Sequence, residues 1–126
     1  MGNTENSDIN TKNKVYIIAE AGVNHNGELD KAIKMIAVAK NSGADAVKFQ
    51  TGLPEEFISR NAEKADYQKK STSPDQTQLE MIRDIFLPLE DFRILKYECE
   101  KVDIEFLSSP FDIKSIDFLE KLGVKR

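Results

Sequence analysis

The chain reads as an α/β protein, the N-terminal portion of a closed parallel barrel amounting to about three strand-helix units. Two observations predict this class. Short apolar runs at 15–19, 46–50 and 104–109 alternate with longer stretches in which apolar residues recur every three to four positions. Strands separated by helices pair in parallel, and a parallel sheet must be covered on both faces or closed on itself. Length then favours the first part of a larger barrel over a complete small open sheet, since an eight-unit closed barrel takes about 250 residues and this sequence, with 126, supplies three strand-helix units before a fourth strand is due.

Residues 1–13 are rich in Asn, Thr, Ser and Asp without periodicity, and read as a flexible tail ahead of a partial barrel domain over 14–126. The first strand, 15–19, delivers Glu20 to a glycine-bounded turn, Gly22-Val23-Asn24-His25-Asn26-Gly27. Leu29, Ile33 and Ile36, widened by Ala32, Met35 and Ala39, predict an amphipathic helix that stops at Gly43. The second strand, 46–50, sets Lys48 and Gln50 on one face because strand side chains alternate. The connection from 51 to 75 carries Pro54, Pro74 and Ser71-Thr72-Ser73, and its length marks it as a candidate binding loop.

Thr77 and Glu80 have the spacing of a capping box, opening a short helix with Leu79, Ile82 and Ile85 or Phe86 inward and Pro88 at its end. The following helix opens near Leu89 and aligns Phe92, Leu95, Cys99 and Val102 on one face. The third strand, 104–109, runs into Ser108-Ser109-Pro110-Phe111-Asp112. Asp112 caps a last helix carrying Ile113, Ile116, Leu119 and Leu122, which Gly123 closes. Val124-Lys125-Arg126 stands where a fourth strand would begin, so truncation before that strand is expected.

Composition removes several function classes. A net charge of -4, with Lys69-Lys70 as the only dense basic run, offers no stripe to neutralise a phosphate backbone, so nucleic acid is not an expected partner. No apolar run approaches the ~20 residues that span a bilayer, and the start lacks an export signal, so a cytoplasmic location and no membrane are expected. Cys99, the sole cysteine, falls on an apolar helix face and reads as a buried, inert thiol. Phosphate-cradling glycine loops and nucleophile elbows are missing, which leaves nucleotide binding and serine hydrolysis without support.

The chemistry gathers at the strand ends. Ligands of parallel α/β sheets sit beyond the carboxyl ends of the strands, and Glu20, Lys48, Gln50, Ser108 and Ser109 all fall there. A carboxylate and an ammonium inside a sheet cost several kcal/mol each unless paired or met by a polar ligand. Lys48 beside hydroxyls suits an anionic ligand, and a structural Glu20–Lys48 ion pair is the competing explanation. His25 is expected to orient its loop, since no other metal-ligating residue stands at ligand spacing.

Four segments in order, Ile18-Ala19-Glu20-Ala21-Gly22-Val23-Asn24-His25-Asn26-Gly27, Gly43-Ala44-Asp45-Ala46-Val47-Lys48-Phe49-Gln50-Thr51, Lys64-Ala65-Asp66-Tyr67-Gln68 and Phe106-Leu107-Ser108-Ser109-Pro110-Phe111-Asp112, closely resemble the sialic acid synthase family, which includes N-acetylneuraminate, legionaminic acid and pseudaminic acid synthases. The resemblance implies a TIM barrel that condenses phosphoenolpyruvate with an N-acetylated amino sugar, with a divalent metal, Mn2+ or Mg2+, activating the sugar aldehyde. It assigns Glu20 to the barrel-mouth carboxylate and Lys48 to the lysine that binds phosphoenolpyruvate. Ser109 becomes a hydroxyl on the same ligand, while Gln50, Ser108, Tyr67, Gln68 and Ser73 become further substrate-binding candidates. By the same resemblance the metal ligands, further phosphate-binding groups and a domain that mediates homodimer formation lie beyond Arg126, and the 126 residues alone are expected to be inactive. A related phosphoenolpyruvate-dependent aldol synthase and a non-catalytic remnant are the alternatives.

Overall fold

The computed structural model describes residues 14–59 and 62–125. The flexible tail expected over residues 1–13 lies outside this range.

Three strands, β1 (Ile18–Gly22), β2 (Ala46–Thr51) and β3 (Glu105–Pro110), form one parallel sheet in the order β1-β2-β3. Helices α1 (Leu29–Asn41), α5 (Asp91–Lys101) and α6 (Ile113–Leu122) alternate with them. The β2–β3 connection also carries α2 (Pro54–Phe57), α3 (Asp66–Ser71) and α4 (Gln78–Ile85). Sequential neighbours paired in parallel, with crossovers of one hand, place the covering helices on the same side of the sheet. That walk is one sector of a barrel; a doubly wound sheet would reverse direction partway.

The covered face is apolar. Ala21, Val47, Phe49 and Phe106 point from the sheet into a cluster with Ala32, Ile36 and Ala39 of α1, Phe92, Leu95 and Cys99 of α5, and Leu119 of α6. Phe49 stacks on Phe106 with ring centroids 6.0 Å apart, and burying a phenyl ring of this kind stabilises by about 1.5–3 kcal/mol. The alternate residues of the same strands, Glu20, Lys48, Gln50 and Ser109, occupy the opposite face.

Local chemistry explains most boundaries. Gly43 and Gly123 follow α1 and α6 with φ of 84°, the left-handed conformation that ends helices. Thr77 and Glu80 make the expected capping box, and the Asp112 side chain accepts the Ser115 N–H at 2.8 Å to start α6. Other elements depart from the pattern. β1 begins at Ile18 and continues through Gly22, three residues later than expected at each end, because pairing with β2 starts at Ala46 opposite Ile18. Asp45 closes the register there, its N–H bonding the Ile17 carbonyl and its carboxylate accepting the Ile17 N–H. Val15 and Ile17 are therefore exposed despite their apolar character.

In α6 only Leu119 of the four expected inward residues is buried; Ile113 and Ile116 are exposed, since α6 lies at the free β3 edge with no further unit beside it among the described residues. The long connection is more structured than a loop, with Pro54 opening α2 and Ala65 preceding α3. Among the described residues no helix is long and apolar enough to cross a membrane.

Candidate functional site

Glu20 and Lys48 are register partners in β1 and β2, so their side chains leave the sheet on the same face. Lys48 Nζ lies 2.9 Å from Glu20 Oε2. Neither is sealed in: the side chains are 51% and 36% exposed. The pair stands within its strands and not past their ends, because β1 runs to Gly22 and β2 to Thr51. Gln50 and its register partner Ser109 sit one step nearer the carboxyl ends on the same face, both half-buried. Lys48, Ser108 and Ser109 line, with Ile116 and Glu120 of α6, an open cleft of about 530 Å³.

A bulge between Glu20 and Gly22 turns the chain above this group. Gly22 takes φ of 56°, and a β-carbon built on it would come within 3.6 Å of both Gln50 Nε2 and Glu20 Oε1 and 3.9 Å of Asn24 Nδ2. Three polar side chains thus converge over one glycine. Asn24 is held by its own donation to the Ala21 carbonyl at 3.0 Å, and its presence at the rim was legible only as part of a turn signature.

Four candidates fall elsewhere. Ser108 faces the helices: it pairs in register with Phe49, is buried, and shares a 2.5 Å hydrogen bond with the Thr51 hydroxyl, also buried. Adjacent strand residues point to opposite faces, so the Ser108 hydroxyl, bonded to Thr51, is turned away from that of Ser109. Tyr67 is 73% exposed on α3. Gln68 folds back to accept the Ala65 N–H at 2.9 Å, which starts α3. Ser73 presents its backbone carbonyl to Lys64 Nζ at 2.5 Å, and Lys64, which opens the third resemblance segment without a role expected of it, is buried with a second bond to Thr72 Oγ1 at 2.8 Å. This clasp closes residues 64–73 and borders a second cleft lined by Lys69, Asp75 and Gln76.

The connection also carries an apolar wall. Phe57, Phe86 and Phe111 meet with centroids 5.4–5.7 Å apart around Gly52, at the end of β2. Asp112 fastens the two loops that bear them, accepting the Leu53 N–H at 2.8 Å as well as the Ser115 N–H and hydroxyl. Burial works against its ionisation, but these hydrogen bonds outweigh it and hold the carboxyl below its ordinary range. Cys99 is fully buried, and desolvation pushes its thiol up to about 12.

His25 is wholly buried, its ring 6.1 Å from that of Phe49. Among the described residues no group of three or more His, Cys, Asp or Glu is placed to hold a metal ion.

A parallel (β/α) sector with an acid and a base paired on one face of its sheet defines the class, part of a (β/α) barrel. The NeuB family profile matches residues 35–126, and the chain belongs to that family. It is 49% identical over 112 residues to an N,N'-diacetyllegionaminic acid synthase of Campylobacter jejuni, an alignment covering 89% of this chain and 34% of that protein. With the enzyme of the same name from Legionella pneumophila the identity is 50% over 111 residues, covering 88% and 31%. The fold matches the crystal structure of an N-acetylneuraminic acid (sialic acid) synthetase from Leptospira borgpetersenii in complex with citrate, at a TM-score of 0.71 and 33% identity, covering 89% of this chain and 34% of that one. The chain thus spans about a third of the length of these relatives.

Proposed function

We propose that these residues form the phosphoenolpyruvate-binding part of a nonulosonic acid synthase, with a diacetamido amino sugar as acceptor. The observation that carries this reading is the Glu20–Lys48 pair, held on one face at 2.9 Å and open to solvent. An exposed pair adds little to stability, about 0–1 kcal/mol, so its place on the inner face calls for a ligand. The acceptor class is supported by the name shared by the two relatives near half identity, both N,N'-diacetyllegionaminic acid synthases.

In this reaction the enol carbon of phosphoenolpyruvate bonds to the sugar aldehyde carbon, the aldehyde oxygen takes a proton, water adds to the former enol-phosphate carbon, and inorganic phosphate leaves. Lys48 holds the anionic donor and offsets its charge, which orients the enol carbon toward the aldehyde. Glu20 orients the incoming water or accepts its proton, and Gln50 and Ser109 hydrogen-bond the ligand beside it. The divalent metal that the family resemblance implies finds no ligand set among the described residues, and no step is assigned to it.

Phosphate release from phosphoenolpyruvate, with Mn2+ and either N-acetylmannosamine or a 2,4-diacetamido-6-deoxy sugar, tests the proposal. The protein is a chimera in which this chain replaces the matching third of the Campylobacter jejuni relative. Release that depends on the diacetamido sugar, and is lost in Lys48→Met, is expected; release with N-acetylmannosamine alone or only with a phosphorylated sugar refutes the acceptor assignment. The 126-residue chain by itself is expected to release none.

A further inference from the structure

His25 sits in the β1–α1 loop with no solvent exposure, an unusual place for an imidazole outside regular structure. Its Nδ1 accepts the Gly27 N–H at 3.1 Å. An accepting Nδ1 carries no hydrogen, so in the neutral ring the proton is on Nε2. That Nε2 has no hydrogen-bond partner among the described residues. Burial, and less strongly the charge of Lys31, lower the pKa of the ring from its ordinary value, which keeps it neutral.

An orphaned buried donor is unfavourable, and the tilted ring contact with Phe49 supplies it no acceptor. What the ring secures is the turn. Gly27 has φ of 73°, and a β-carbon there would lie 2.3 Å from the Asp84 carbonyl, so the loop closes against the C-terminal end of α4 with no room to spare. On its other side the loop follows directly from Gly22 at the end of β1, where a β-carbon would lie 3.6 Å from both Gln50 Nε2 and Glu20 Oε1 and 3.9 Å from Asn24 Nδ2.

We propose that His25 is a positioning residue: its Nδ1–Gly27 hydrogen bond latches the β1–α1 loop between α4 and the sheet, and through that loop fixes Glu20 on Lys48. The latch rests on the reading that Glu20 and Lys48 line the site, yet its first measurement does not depend on that reading. Two replacements separate the ring from its acceptor. His25→Asn keeps an acceptor two residues before the Gly27 N–H, in the manner of an Asx turn, and loses the ring. His25→Phe keeps the ring and loses the acceptor.

In the intact 126-residue chain, amide exchange at Gly27 reports the latch, and acylation of Lys48 followed by peptide mass spectrometry, with Lys101 as internal reference, reports the ion pair. His25→Phe is expected to speed Gly27 exchange about tenfold, the worth of one hydrogen bond, and to raise Lys48 labelling severalfold. His25→Asn is expected to restore both to within about twofold of the parent. Faster Gly27 exchange with unchanged Lys48 labelling would overturn the coupling to Glu20, whatever the reaction proves to be. Equal effects of both replacements, including equal loss of the fold by circular dichroism, would assign His25 to packing alone and overturn the proposal.

Discussion

Replacing Lys48 by Met, Glu20 by Gln, and both together separates a ligand-binding pair from a structural one, because the two roles predict opposite sizes of effect. The side chains are 36% and 51% exposed at a separation of 2.9 Å. A pair this open couples by about 0.2–1 kcal/mol in a double-mutant cycle. Urea denaturation of the four proteins should therefore show small, nearly additive changes in stability. Charge-assisted hydrogen bonds to a ligand are worth about 1.5–3 kcal/mol, so Lys48→Met should weaken phosphoenolpyruvate binding by about 10- to 150-fold. Glu20→Gln removes the negative charge paired with Lys48 and is expected to leave affinity equal or tighter while abolishing turnover in the chimera. Isothermal titration measures the affinities. A coupling energy above about 2 kcal/mol together with unchanged affinity in Lys48→Met would show that the pair holds the sheet and not the ligand.

Gly27→Ala should destabilise by about 2–4 kcal/mol, since it adds a left-handed penalty of about 1–2 kcal/mol to a steric conflict with the Asp84 backbone; a midpoint in urea equal to the parent's would show that the loop moves away freely. Cys99, with its thiol pushed up to about 12, should resist alkylation at pH 8 in the folded protein and react only on unfolding, so rapid labelling under native conditions would contradict its burial. Asp112→Ala should cost about 0.5–2 kcal/mol at neutral pH as a lost helix cap. Because the folded carboxyl titrates below its ordinary value of 3.8, the stabilisation is present above that value and fades as pH falls through the lower folded one. The deficit of Asp112→Ala should therefore shrink in strong acid, and a deficit constant from pH 7 to pH 2 would refute the assignment.

What could be read from the sequence, and what could not, follows the range of the interactions involved. The helix stripes are local, so Phe92, Leu95 and Cys99 could be placed on one buried face from their spacing alone. Lys48 and Gln50 share a face for the same reason, since a period of two needs no partner strand. Relative phase between strands is another matter. Whether Ser108 or Ser109 joins Lys48 depends on the alignment of β3 with β2, and the pairing of Lys48 with Leu107 turns Ser108 toward the helices. Register likewise decided where β1 begins, because Val15 and Ile17 look like strand core until Ile18 is set opposite Ala46. The clasp from Lys64 to Ser73 and the tie from Asp112 to Leu53 join residues 9 and 59 positions apart, distances at which no periodic signal survives. His25 shows both sides at once. Its neighbours spell a turn, which correctly places it in a loop, yet its burial brings the ring against Phe49 of β2, while Gly27 beside it leaves no room for a β-carbon against the Asp84 carbonyl of α4. Residues that act through one element are thus visible in a single sequence, while those that join elements need the assembled sheet.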